Sequence, residues 1–535
     1  METFSGSHAT QQVARSAGSV GMAVFCSRIL GLIREQVMAV LFGAGYYMDA
    51  FVVAFRIPNL LRDLFAEGAL SAAFVTVFTD YDQKKDPEAT WRLANNVLLA
   101  LTLLLSLITL LGMIFSEEII KIMAPDFSKV AGKTALTQLL TTIMFPFLIL
   151  ISAAAVVMGI LNTKGRFFIP AMASTFFNLG SIVGGVLLAW GAPAFGQPPI
   201  VGMAVGTLIG GFLQLAIQLP SLKRAGFEWR PRLYLRDEGL KRIMILMIPA
   251  LIGLSATQIN IFINTNFAAR CAEGSVSWLN YAFRLMQFPI GVFGVAISIA
   301  TLPLFSRQAS QGDLAGLKAT YVSSLTMAFL LTLPASFGLA FLAEPIIRII
   351  FEHGRFNAQD TLHTAEALIY YSVGLFAYSS IKITVPVFYA LKDTRFPVLA
   401  SFLAVATNII FISLTLDYFQ HRAIAFSTSI TMIINFVFLS AVLYRKVRGY
   451  DLAYLLSSLF KIALASFLMG LLAYQLHQAA GLILDQTRLL NQIISLLLVI
   501  TLSVFVYFLL IRRLGVGEYR EVMEMVRKRF LGRKL

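Results

Sequence analysis

Residues 22–42 read MAVFCSRILGLIREQVMAVLF, an apolar run interrupted by Arg28, Arg34 and Glu35. A run of this length crosses the hydrocarbon core of a bilayer as one helix. A cation held at that depth costs about 3 kcal/mol or more, so it faces a cavity or a partner and marks function. The same conflict recurs at Arg56 and Arg62 in the next run and at Arg284 in a later one. Recurrent cations among many apolar spans point to a membrane protein built around an anionic ligand.

The rest of the chain fits that class. Of 535 residues, 58% are hydrophobic and 13% are charged, a balance outside that of soluble domains. The polar first 16 residues are not followed by a short apolar stretch with a small-residue cleavage site, so no removable signal peptide is expected. Fourteen apolar spans are read at 18–42, 48–80, 92–116, 134–161, 167–191, 200–220, 243–270, 276–305, 320–343, 364–390, 396–416, 423–444, 454–477 and 489–511. The second is too long to cross upright, and Pro58 is expected to kink it. The fold class is therefore all-α integral membrane with about 14 transmembrane helices.

With the N-terminus inside, the cytoplasmic segments carry 28 of the 43 Lys and Arg and the outer loops carry 8. This is the positive-inside pattern, and it puts both termini in the cytoplasm. It also accounts for the net charge of +15 without nucleic acid as a partner. The seven remaining cations lie within spans: Arg28, Arg34, Arg56, Arg62, Arg284, Lys382 and Lys461. Lys382 and Lys461 sit near the cytoplasmic boundary and read as snorkelling side chains. Apart from Asp80 and Glu366 at span edges, the acids within spans are Glu35, Asp49, Asp63 and Glu67, all in the first two.

An internal repeat is visible. Ala54-Phe55-Arg56 recurs as Ala282-Phe283-Arg284, and Ala69-Leu70-Ser71 resembles Ala296-Ile297-Ser298. Six spans separate the copies, so the halves share one orientation. Such a parallel repeat places a substrate site between two lobes near the midplane. The lobes would be 1–222 and 243–446, joined by the basic cytoplasmic linker 223–242. Residues 447–511 would hold two further helices, and 512–535 a basic amphipathic tail on the anionic leaflet.

Polar stripes mark what would line the cavity. Arg28, Gly31 and Glu35 share a face of the first span, and Asp49, Arg56 and Asp63 recur every seven residues in the second. Glu35 lies two turns from Arg28, a distance it can bridge only through a bend or a water. The eighth span carries Ser277, Asn280, Arg284 and Gln287; the seventh carries Asn260 and Asn264. A blander reading pairs each arginine with a neighbouring carboxylate that pins the bundle. Gly202, Gly206 and Gly210 read as a helix-packing face. The five histidines lie in loops or at span edges without zinc spacing, so no metal site and no other cofactor is expected. No Walker loop, nucleophile elbow or catalytic pair of acids is present, which argues against an enzyme.

Ser27-Arg28-Ile29-Leu30-Gly31, Arg34, Phe42-Gly43-Ala44-Gly45, Asp49-Ala50-Phe51, Pro58-Asn59-Leu60-Leu61-Arg62 and Phe65-Ala66-Glu67-Gly68-Ala69 resemble the signature of the MurJ/MviN family. Further matches are Gly274-Ser275-Val276-Ser277-Trp278, Tyr281, Arg284-Leu285-Met286, Phe288-Pro289 and Lys392-Asp393-Thr394-Arg395. The family consists of lipid II flippases within the multidrug/oligosaccharidyl-lipid/polysaccharide exporter superfamily. The resemblance implies two six-helix lobes around a cationic cavity, with residues 447–511 forming a lipid-facing groove. It also implies functional arginines at Arg28, Arg34, Arg62 and Arg284 and functional acids at Asp49 and Glu67. Arg56, Glu35, Ser277, Asn280, Gln287, Asn260 and Asn264 are the expected supporting residues.

The implied activity is movement of lipid II across the bacterial cytoplasmic membrane for cell-wall synthesis, with the synthesis machinery as a candidate partner. Some members bind sodium through an acid in the seventh span; this span offers amides, so sodium is not expected. With no ATP site, the membrane potential is a candidate drive. The alternatives are a flippase for another polyprenyl-diphosphate glycan and, ranked below it, a multidrug cation exporter.

Overall fold

A computed structural model describes residues 3–520, with side chains apart from those of 3–21, 66–69, 72 and 252. The basic tail expected at 512–535 falls largely outside the described residues. Helix follows helix throughout, and no strand occurs among the described residues. The chain forms two compact units, Met1–Val276 and Ser277–Leu535.

The first unit contains α1 (Thr3–Phe42), α2 (Tyr46–Arg62), α3 (Ala69–Lys84), α4 (Pro87–Ile114), α5 (Ser116–Met123), α6 (Lys133–Met144), α7 (Phe147–Thr163), α8 (Phe168–Gly191), α9 (Ile200–Ala216), α10 (Leu219–Arg224) and α11 (Glu238–Ala268). Then follows α12 (Ser275–Pro289), almost wholly in the second unit. The second unit continues with α13 (Val295–Ser310), α14 (Leu314–Phe341), α15 (Ala343–Phe351), α16 (Ala358–Val373), α17 (Leu375–Ala390), α18 (Arg395–Phe419), α19 (His421–Lys446), α20 (Leu452–Ile483) and α21 (Leu489–Leu514).

Among the described residues, ten helices are long and apolar enough to cross a membrane, or 12 if each of two bent pairs is one span. The count of fourteen is not reached by length and apolarity alone. The expected spans 18–42 and 48–80 are helical but are not among those counted. They are also the spans with the densest charge.

Local chemistry sets the helix ends. Asp86 caps α4 by accepting from Ala89 N at 2.6 Å, with Pro87 in the first turn. Asp237 caps α11 through Leu240 N at 2.9 Å. These side chains satisfy amides that a helix start leaves unbonded. The glycine face of α9 packs against α8. A Cβ on Gly202 would lie 2.2 Å from Ala189 N, and one on Gly206 would lie 2.4 Å from Gly185 Cα. Only hydrogen fits there.

The basic linker is held down. Asn95 donates to the Glu228 carbonyl at 2.9 Å and accepts from Arg230 N at 2.8 Å. Asn96 does the same with Tyr234, donating to its carbonyl at 2.9 Å and accepting from its amide at 3.0 Å. Two successive buried amides on α4 thereby clamp the linker, and α11 packs against α3. In the second unit, α20 packs on α14 and α21, and Tyr507 Oη donates to the Leu330 carbonyl at 2.7 Å.

Pro58, where a kink is expected, lies inside the helix Tyr46–Arg62. The α-helix runs through Pro58 to Arg62 and then loosens into a π-helical turn, Asp63–Gly68. A second π turn, Ile290–Gly294, follows α12. Single π turns inside long helices cluster at functional sites. These two fall at matching places in the repeat, directly after the Arg56 and Arg284 segments.

Candidate functional site

In the first unit α1 is seated on α8 by side chains that reach its backbone. Asn178 donates to the Ser27 carbonyl at 3.1 Å, and its amide nitrogen lies 3.7 Å from where a Cβ on Gly31 would sit. The Asn178 bond holds α1 against α8 beside the arginines on either side of Gly31. Arg34 bonds Glu35 at 3.0 Å and lies 5.3 Å from the Phe177 ring centroid. Arg28, one and a half turns earlier, is exposed and makes no hydrogen bond or ion pair among the described residues. Glu35 does not reach back to Arg28 through a bend; it pairs with its sequence neighbour.

Arg62 closes on Asp63 through Nε at 3.1 Å and Nη2 at 2.7 Å. Asp63 also receives Gln258 of α11 at 3.4 Å. Pairing with a neighbouring carboxylate therefore describes Arg34 and Arg62, while Arg28 stands apart. Arg56 is half-buried. Asn260 and Asn264 are half-buried on α11. The side chain of Glu67 lies outside the described residues; its backbone belongs to the π turn.

Asp49 is enclosed by protein. It is 1% exposed, and its Oδ2 accepts from Lys133 Nζ at 3.0 Å and from Gly274 N at 2.9 Å. Lys133 is equally enclosed, 4.4 Å from the Phe127 ring centroid and 3.9 Å from Glu273. Burying two charges costs several kcal/mol each. The second hydrogen bond and the aromatic face offset that cost. The cluster ties the start of α2, the start of α6 and the turn before α12 together. Sequence reasoning treats Lys133 as an ordinary loop residue and misses this role. The signal lay in its loop, the richest in Lys and Arg of those assigned to the outer face.

In the second unit Arg284 is exposed on α12, and so is Gln287 one turn on. Asn280 is half-buried and Ser277 fully buried. The stripe thus turns from packed to open along the helix. The histidines do cluster, contrary to expectation: the His363 and His421 rings are 5.4 Å apart beside Glu366.

A family model described as "Lipid II flippase MurJ" matches residues 38–484. A protein of Buchnera aphidicola subsp. Acyrthosiphon pisum described as "Probable lipid II flippase MurJ" is 37% identical over 428 residues, 80% of this chain and 83% of its own length. A solved structure described as "Lipid II flippase MurJ, inward closed conformation" aligns with TM-score 0.75 at 28% identity, covering 92% of this chain and 99% of that one. An inward-facing multidrug transporter of the MATE family and MOP superfamily aligns with TM-score 0.68 at 16% identity, over 79% and 94% of the two chains, a likeness of fold alone.

Proposed function

The chain belongs to the MurJ family of lipid II flippases, and from that we propose that it moves lipid II from the inner to the outer leaflet of the bacterial cytoplasmic membrane by alternating access. It is a transporter rather than an enzyme, a multi-pass membrane protein, and its substrate is lipid II. The match over residues 38–484 carries this reading.

The charges explain how the headgroup could cross. A diphosphate loses its hydration on entering the bilayer interior. Guanidinium groups already held there replace those hydrogen bonds, and their planar fork fits phosphate oxygens two at a time. We assign this work to Arg28, Arg34, Arg62 and Arg284, with Arg56 in support. Arg28 and Arg284 are exposed on α1 and α12, and this favours them as direct contacts. Glu35 and Asp63 hold Arg34 and Arg62 in place, and a phosphate that draws those arginines away must compete with a carboxylate. Asp49 acts differently, closing one end of the first unit. Glu67 is assigned to the transport path on resemblance.

The loop charges support cytoplasmic termini. They also favour the extracytoplasmic side for the Asp49–Lys133 cluster. The membrane potential supplies about 2.3 kcal/mol per charge per 100 mV and is our proposed drive. Cell-wall synthesis enzymes that consume lipid II outside are the proposed functional partners. The deciding experiment measures lipid II accessible at the outer face of vesicles with and without the protein. Equal accessibility in both would overturn the assignment.

A further inference from the structure

His363 and His421 are 58 residues apart in sequence and lie near the N-terminal ends of α16 and α19. His363 Nδ1 is 3.2 Å from Glu366 Oε2, and His421 Nε2 is 3.5 Å from the same oxygen. One ligand atom from each side chain lies within 4.8 Å of the other two. Tetrahedral zinc with bonds of about 2.0–2.1 Å holds its ligand atoms about 3.3–3.4 Å apart. Two of the three edges are already close to that length. Rotation of the partly exposed His363 ring would close the third.

We propose that His363, Glu366 and His421 form a binding site for Zn²⁺ or a similar late first-row dication, with water in the remaining position. Two imidazoles and a carboxylate suit such ions and leave an open coordination place. The site lies within the second unit and does not depend on the transport reading, which supplies only the side of the membrane it faces.

The surroundings hold these groups as metal ligands are usually held. His363 and Glu366 stand one turn apart on α16 and present their heads together. A capping box fixes the start of that helix: Asn357 Oδ1 accepts from Asp360 N at 3.0 Å, and Asp360 Oδ2 accepts from Asn357 N at 3.2 Å. The other Asp360 oxygen accepts from Trp278 Nε1 at 3.0 Å. The Trp278 ring then lies 4.3 Å from the His363 ring and 5.2 Å from the His421 ring. Both imidazoles are thus steadied by one indole, which is itself tied to α16.

Glu366 has its two oxygens divided. Oε1 receives Arg422 Nη1 at 3.3 Å, and Oε2 faces both histidines. Hydrogen bonding to the far oxygen of a ligating carboxylate orients it and is a common outer-shell feature. The Arg422 charge opposes a dication, but that side chain is 37% exposed and is screened by water. His421 Nε2 lies 3.1 Å from the His363 carbonyl. It donates there when it carries the proton; in the metal-bound form the same nitrogen presents its lone pair to the ion. The cost of losing that bond is moderated because Glu366 and the imidazoles share the new centre.

The test is titration of ZnCl₂ into the purified full-length protein, prepared through a tag without histidine. One Zn²⁺ per chain is expected. H363A and E366Q should each weaken binding by more than about tenfold, since each removes a ligand atom. A variant lacking the imidazoles of His8, His353 and His477 should bind as the parent does. H421A removes a buried ring and can disturb folding, so H363A and E366Q, both at partly exposed positions, are the deciding variants. No stoichiometric binding by the parent, or unchanged binding by both of these variants, overturns the proposal.

Discussion

Lys133 Nζ lies 3.0 Å from Asp49 Oδ2, and each side chain is only 2% exposed. The same carboxylate oxygen accepts from the backbone of Gly274. One carboxylate therefore joins three segments that are far apart in sequence, and removing it takes the nearest counter-charge from a buried ammonium. D49A or K133A should each lower stability by about 3–5 kcal/mol, the cost of breaking a buried ion pair by removing one member. The double variant D49A/K133A should lose less than the sum. Unfolding midpoints in detergent give the cycle, and strict additivity would show that the two side chains do not act as a pair.

Alanine at Arg28, Arg34 or Arg284 should abolish complementation of a flippase-depleted strain while the protein stays in the membrane. Lysine should restore it in part, because an ammonium lacks the planar fork. Full activity of all three alanine variants would remove the arginines from the transport path. R34A should also destabilise the protein, since the 3.0 Å bond to buried Glu35 is lost.

Reporter fusions test the topology. A fusion after Gly196 should read as extracytoplasmic and one after Arg230 as cytoplasmic, following the positive-inside split. The opposite reading at either site would mean a miscounted span.

The turn around Gly45 and Gly274 offers a test of alternating access. A Cβ on Gly45 would lie 3.4 Å from Glu273 Oε1, so these segments are neighbours. Gly45 has φ +147, which disfavours a side chain, so one cysteine belongs at Ala44 and the other at Glu273. Cys26 and Cys271 are replaced first. A reducible thiol cross-linker should stop transport, and reduction should restore it. Transport at the normal rate by cross-linked protein would exclude any cycle that parts these segments.

Asp393, in the turn between α17 and α18, bonds Lys446, and that hydrogen bond and charge hold its carboxyl below the ordinary value of 3.8. A depressed folded-state value contributes stability above the unfolded value and loses it as pH falls through the folded one. D393N should therefore lower the unfolding midpoint at neutral pH, with the difference fading below about pH 4. A pH-independent difference would assign the effect to packing instead of charge.

The sequence by itself determined the helical membrane class, the order of apolar runs and the repeat of Arg56 in Arg284, because run length and local charge are properties of a single segment. The π turns at Asp63–Gly68 and Ile290–Gly294 fall where that repeat aligns its halves. The tertiary structure decided the partnerships. Asp49 meets Lys133, 84 residues away, while Arg34 and Arg62 keep the carboxylates beside them in sequence. His363 and His421 carry no local motif; they meet because α16 and α19 begin side by side. Burial and pairing depend on which helix ends pack together, and that is a contact between distant segments which no single stretch of the chain encodes.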